Sequence, residues 1–213
     1  MPENRIIVFF SDHGLRFGDI RQTLSAKYEE RLPFMHIYVP QRYRSRNLTV
    51  NEHRLTTPFD IHSTLKHIIE GKPNDTLSYG LSLLEEIPYD RSCDSIPILE
   101  HWCGCQTSQP IHDLHSVRPM AEFVVTKLND LLHVKYRKQM NAKTVVSTEM
   151  KHYLLTIRVH PSDGVFESTV HLNTTSHQML IIGDISRIHL YANQSHCIDS
   201  PWLKKYCFCK DLL

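Results

Sequence analysis

Residues 6–14 read Ile-Ile-Val-Phe-Phe-Ser-Asp-His-Gly, and no other stretch restricts the fold of this chain as strongly. Five consecutive apolar residues predict a fully buried strand. That strand runs straight into a carboxylate, an imidazole and a glycine that permits a turn. In open α/β sheets, sites lie just beyond the carboxyl ends of strands. Asp12 and His13 fall at such an end, where a carboxylate oxygen beside an imidazole nitrogen is a common pair of divalent-metal ligands. The plainer alternative is that Asp12 caps a turn and His13 is an ordinary polar residue. Two ligands alone do not make a site.

A chain of 213 residues can bury a substantial core, enough for one domain and an appendage. Its 41% apolar and 22% charged residues match ordinary soluble domains, so neither disorder nor a membrane span is indicated. The run from Ile6 to Phe10 is far too short for a transmembrane segment. A formal charge of +1 gives no overall pull toward nucleic acid or anionic lipid. No nucleic-acid partner is expected.

Six cysteines fall into two groups of identical spacing, Cys93-x9-Cys103-x-Cys105 and Cys197-x9-Cys207-x-Cys209. Six cysteines allow 15 pairings, and the sequence does not choose among them. Neighbours in Cys-x-Cys diverge, so bridges are expected across longer loops. The competing reading is a zinc site built from the two Cys-x-Cys pairs, which the short spacing disfavours. Four sequons, at Asn47, Asn74, Asn173 and Asn193, use half of the eight asparagines, where about one match is expected by chance. Disulfides and sequons together predict an extracellular or secretory-pathway protein, although Met1 to Arg5 lead into the first strand without a signal peptide.

Along the chain, Asp19 can cap a helix carrying Ile20, Leu24 and Tyr28, stopped by Pro33, and Phe34 to Val39 reads as a second strand. Arg42, Arg44 and Arg46 read as a solvated loop. Thr57-Pro58-Phe59-Asp60 predicts a helix start with a threonine cap, proline at the first position and an answering acid. That helix runs through Ile61, Leu65, Ile68 and Ile69 to Gly71, with His62 facing inward. A further helix is expected over 119–133, with Phe123, Leu128, Leu131 and Leu132 on its apolar face. From Tyr153 onward, short β-branched runs separated by Asp163-Gly164 and Gly183-Asp184 predict a carboxyl-terminal antiparallel sheet.

Several segments together resemble the sulfatase-like branch of the alkaline phosphatase superfamily. They are Phe9-Phe-Ser-Asp-His-Gly14, Arg31-Leu-Pro-Phe34, Ile37-Tyr-Val-Pro40, Leu55 to Leu65, and Gly80-Leu-Ser-Leu83. Arg91-Ser-Cys93, His101-Trp-Cys-Gly-Cys105, Gly183 to Ile188 and Lys205-Tyr-Cys-Phe-Cys209 resemble the animal branch known as domain of unknown function 229. The resemblance implies the carboxyl-terminal half of a doubly wound α/β sheet, followed by a small disulfide-linked antiparallel module. It divides the chain into a partial catalytic domain (1–90), a cysteine-containing linker (91–118) and a helix-plus-β module (119–213). It also implies that Asp12 and His13 hold one divalent metal (calcium, zinc or manganese) and that the full-length substrate is a sulfated or phosphorylated ester. In that superfamily the metal polarises the ester and activates a hydroxyl or modified-cysteine nucleophile. The nucleophile and the other acidic ligands stand well upstream of Asp-His-Gly, whereas eleven residues precede Asp12 here. The expectation is therefore a carboxyl-terminal piece, not catalytic alone and with the metal site incomplete. A non-catalytic extracellular binding module is the alternative.

Overall fold

The computed structural model describes residues 4–73, 79–105, 108–132, 141–149 and 152–212. The chain divides into two compact units: Met1–Gly14 with Leu32–Ile98, and Leu15–Arg31 with Leu99–Leu213.

In the first unit, β1 (Ile7–Phe10) pairs antiparallel with β2 (Met35–Tyr38), Phe10 opposite Met35 and Ile7 opposite Tyr38. The strand is where the sequence puts it, but it is not buried. Phe9 is 63% exposed, and Ile7 and Phe10 are also open to solvent. The reason lies in the pairing. Among the described residues no third strand joins this two-stranded ribbon, and the pair forms no doubly wound sheet. Phe9 and Phe34 cover part of each other, their ring centroids 5.0 Å apart.

The Arg42–Arg46 segment is exposed as expected, but its end opens a short helix, Arg46–Asn51, capped by the Ser45 hydroxyl. The following helix, Pro58–Glu70, begins with the predicted capping box and ends at Gly71 in the left-handed conformation, φ 72°. Its buried face is not the predicted one. Asp60, Ser63 and Thr64 are buried, while Leu65, Ile69 and His62 are exposed.

The inward face is polar because it hydrogen-bonds the segment after residue 79. Asp60 Oδ1 accepts from Leu81 N at 2.7 Å, and Thr64 Oγ1 accepts from Leu83 N at 2.8 Å. Asp60 Oδ2 accepts from Thr57 N at 2.7 Å and from Thr57 Oγ1 at 3.0 Å. Arg91 closes the cluster as a fork, Nη1 to Asp60 Oδ2 at 2.8 Å and Nη2 to Asp60 Oδ1 at 3.0 Å. Gly80 permits the close approach: a Cβ there would lie 2.2 Å from Ser63 Oγ and 2.4 Å from Phe59 O.

The second unit holds a helix on an antiparallel sheet. Near its start, Asp19–Gln22 forms one 3-10 turn and Leu24–Arg31 a helix. The predicted stripe is again on the outside. Ile20 and Leu24 are exposed, and the buried residues are Arg21, Ala26, Lys27 and Glu30. Leu114–Leu131 is a longer helix than expected, capped by Asp113 and passing through Pro119. It buries Val117, Met120, Val124 and Leu128 against Leu155, Ile157, Phe166 and Val170 of the sheet.

Among the described residues the sheet has five strands in chain order: β3 (Gln109–Ile111), β4 (Asn141–Glu149), β5 (Tyr153–His160), β6 (Val165–Leu172) and β7 (Met179–Arg187), all pairings antiparallel. Asp163-Gly164 makes the predicted turn between β5 and β6, with Asp163 at φ 51°. Gly183-Asp184 does not turn the chain. Gly183, at φ 76°, lies within β7 where the register against β6 shifts, so it makes a bulge in one strand rather than a hairpin between two. No helix among the described residues is long and apolar enough to cross a membrane.

Candidate metal centre

Asp12 and His13 stand immediately past β1. Ser11 N donates to Phe34 O at 3.1 Å, the last tie to the neighbouring chain, and Ser11 Oγ donates to His13 O at 2.6 Å to hold the turn. Asp12 Oδ1 accepts from His13 N at 2.9 Å, and Asp12 Oδ2 lies 3.5 Å from His13 Nε2. His13 Nδ1 is 2.7 Å from the Gly14 carbonyl. A carbonyl only accepts, so Nδ1 carries a hydrogen, and Nε2 is the ring nitrogen turned toward Asp12. An imidazole nitrogen and a carboxylate oxygen set this close together are a donor pair that fits a divalent ion.

The pair is open. Asp12 is 83% exposed at its side chain and His13 35%. It belongs to neither of two surface cavities, of about 450 Å³ beside Met35, Asn51 and Arg54, and about 370 Å³ beside Arg16, Tyr191 and Lys205. Among the described residues, no third histidine, cysteine or acid joins Asp12 and His13 in a three-ligand group.

Elsewhere, buried charges gather at a place that no sequence motif marks. In the second unit, Arg31 pairs with Glu167 and Arg21 with Glu30, every one of these side chains buried. Lys27 lies in the same interior. Desolvation, reinforced by the Arg31 charge, pushes its ammonium down to about 8. The signal was present in the sequence, as Lys27, Glu30 and Arg31 share one helical face at i, i+3 and i+4.

His101 packs into this network, its Nδ1 2.8 Å from Thr169 Oγ1. Its Nε2 lies 4.0 Å from Glu167 Oε1, a separation compatible with an ion pair. Burial and the Arg31, Lys27 and Arg21 charges outweigh that attraction and lower His101 to about 3, so the ring is neutral. The folded value lies below the ordinary 6.5. As pH falls below 6.5, the unfolded chain therefore takes up a proton that the folded chain refuses until about pH 3, and stability is lost across that window. Between pH 7 and pH 5 this residue should remove about 2 kcal/mol. Denaturant titrations of wild type and His101→Gln at both pH values check this: the variant should lose less by about that amount.

The cysteines divide as two disulfides and two thiols. Cys197 is bonded to Cys209, Cys93 and Cys103 are also disulfide-bonded, and Cys105 (exposed) and Cys207 (buried) are free. Burial pushes the Cys207 thiol up. The bridges span the longer loops rather than Cys-x-Cys neighbours, as expected. Of the sequons, Asn173 and Asn193 are exposed, whereas half-buried Asn47 donates its amide to Leu84 O at 2.9 Å. Asn74 lies outside the described residues.

No curated protein and no solved structure matches this chain. The family model described as "Protein of unknown function (DUF229)" does match, over residues 2–146, and the chain belongs to that family.

Proposed function

We propose that this chain carries the metal-binding end of a sulfatase-like ester-hydrolase site, in which Asp12 and His13 supply two ligands of one divalent cation. The carrying observation is the 3.5 Å approach of Asp12 Oδ2 to His13 Nε2 with Nδ1 already committed to the Gly14 carbonyl. Family membership and the ordered motifs support the hydrolase ancestry. When bound, the metal supplies Lewis-acid polarisation of a sulfate or phosphate ester oxygen. The chain's own residues do the holding. Gly14 fixes the imidazole tautomer, the His13 amide orients the Asp12 carboxylate, and Ser11 is committed to the turn rather than poised as a nucleophile. Among the described residues no third ligand joins Asp12 and His13, so a complete metal site calls for donors beyond this pair. Two disulfide pairs and four sequons support a secretory-pathway setting.

A non-catalytic binding role has one observation in its favour, the apolar ribbon of Ile7, Phe9, Phe10 and Phe34 left open to solvent. The two readings separate in one experiment. The protein purified from its natural source is assayed on aryl sulfate and aryl phosphate esters with manganese, calcium or zinc, alongside the same protein carrying Asp12→Ala. Turnover that falls by about 100-fold or more in the variant is expected for loss of a ligand. Equal turnover in both proteins, or none in either, contradicts the hydrolase reading, and the second result favours the binding module.

A further inference from the structure

The second cysteine cluster places a free thiol against a disulfide. Cys207 Sγ lies 3.8 Å from Cys197 Sγ, and the sulfurs of Cys197, Cys207 and Cys209 all fall within 4.8 Å of one another. The first cluster has the same x9 and x spacing, yet there the free residue is the third, Cys105, whereas here it is the second, Cys207.

We propose that Cys197, Cys207 and Cys209 form an intramolecular disulfide-exchange triad. The Cys207 thiolate attacks Cys197 Sγ; the Cys197–Cys207 bond forms as the Cys197–Cys209 bond breaks, and Cys209 leaves as a thiolate that takes up the proton Cys207 gave up. No external oxidant or reductant is consumed. Exchange of this kind proceeds by thiolate attack on a disulfide sulfur, and proximity replaces the bimolecular encounter.

The surroundings suit it. Tyr206 N donates to Leu203 O at 2.9 Å and Cys207 N to the same carbonyl at 3.1 Å, which anchors the attacking residue to the short Pro201–Lys204 helix. Burial pushes the Cys207 thiol up, and buried Arg187, which donates to the Cys207 carbonyl at 3.5 Å, offsets part of that in favour of the thiolate. The leaving residue holds the chain end: Cys209 N donates to Gln194 O at 2.8 Å, Cys209 Sγ accepts from Cys197 N at 2.9 Å, and Leu212 N donates to Cys209 O at 3.2 Å. Exchange moves the covalent anchor from Cys209 to Cys207 and leaves residues 208–212 without a disulfide of their own. The device is thus a switch on the attachment of the carboxyl-terminal segment.

The test is disulfide mapping of the folded, non-reduced chain. Free thiols are alkylated under acid quench, and pepsin cleavage at Phe208 separates Cys207 from Cys209. Peptides linking Cys197 to Cys209 and Cys197 to Cys207 should both be found, the second at about 0.1–10% as for a minor state. A Cys197–Cys209 link alone, with Cys207 wholly alkylated at a sensitivity below that range, overturns the proposal. Cys209→Ser gives an independent reading. The folded variant should bridge Cys197 to Cys207 and leave one alkylated thiol, Cys105; alkylation of Cys105, Cys197 and Cys207 together would contradict it.

Discussion

Asp60→Asn should destabilise the first unit by about 3–5 kcal/mol, the range for breaking a buried charge pair by removing one partner. Asp60 is fully buried and Arg91 is 5% exposed at its side chain, so the guanidinium left behind has no water to turn to. The carboxylate also accepts from Thr57 N, Thr57 Oγ1 and Leu81 N. An amide keeps one acceptor oxygen and points hydrogens at donors on the other side. A domain is typically stable by only about 5–15 kcal/mol, so the loss takes a large fraction of the total. Arg91→Met should be costly too, because it orphans the Leu55 and Tyr79 carbonyls that the guanidinium serves at 3.1 Å and 2.9 Å. The double variant should lose less than the two singles added together, since neither leaves a naked charge once both are gone. Urea denaturation of all four proteins checks this; a loss under about 1 kcal/mol for Asp60→Asn would contradict the buried-hub reading.

Glu167→Gln should be comparably damaging in the second unit, about 3–5 kcal/mol. Glu167 and Glu30 are the two acids set against buried Arg21, Arg31 and Lys27. Neutralising one leaves a single carboxylate among three cations in a poorly solvated interior. Glu167 is also the charge that holds the Lys27 ammonium up against desolvation, so its loss should drive Lys27 below its present value of about 8. A direct consequence follows for rescue. Adding Lys27→Met to Glu167→Gln removes one of the three cations and should restore part of the lost stability. No restoration would mean that the loss comes from packing rather than charge. Thermal and denaturant unfolding of the single and double variants separate these outcomes.

How much of this was legible in the sequence depends on the kind of signal. Local chemistry was plain. Thr57-Pro58 with Asp60 starts a helix, Gly71 stops it, and Asp163-Gly164 turns between β5 and β6. These features act over a few residues and need no tertiary partner. Burial was misread wherever an apolar stripe was assumed to mark the inside. Ile20, Leu24, Leu65 and Ile69 are exposed because the opposite faces of their helices carry Lys27, Glu30, Asp60 and Thr64 into polar networks. The partners of those networks, Glu167 and Arg91, lie 136 and 31 residues away from Arg31 and Asp60, beyond any periodicity window. Gly183-Asp184 looked like a hairpin because a bulge and a turn both use a glycine at positive φ. The five-residue apolar run at Ile6 predicts a buried strand. Burial, however, depends on how many strands join it, and among the described residues β1 pairs with β2 alone. Asp12 and His13 were placed at a strand end, and they stand at one.

The proposed hydrolase site requires that this pair hold a cation. Titration of manganese into the isotope-labelled chain, followed by amide NMR, addresses it most directly, because the paramagnetic ion broadens signals only near where it binds. Saturable broadening confined to residues around Ser11 to Gly14, with a dissociation constant of about 10⁻⁴–10⁻³ M as expected for a weakly held ion, is predicted, together with its loss in both Asp12→Asn and His13→Gln. Broadening centred elsewhere, or unchanged in those two variants, would contradict the claim.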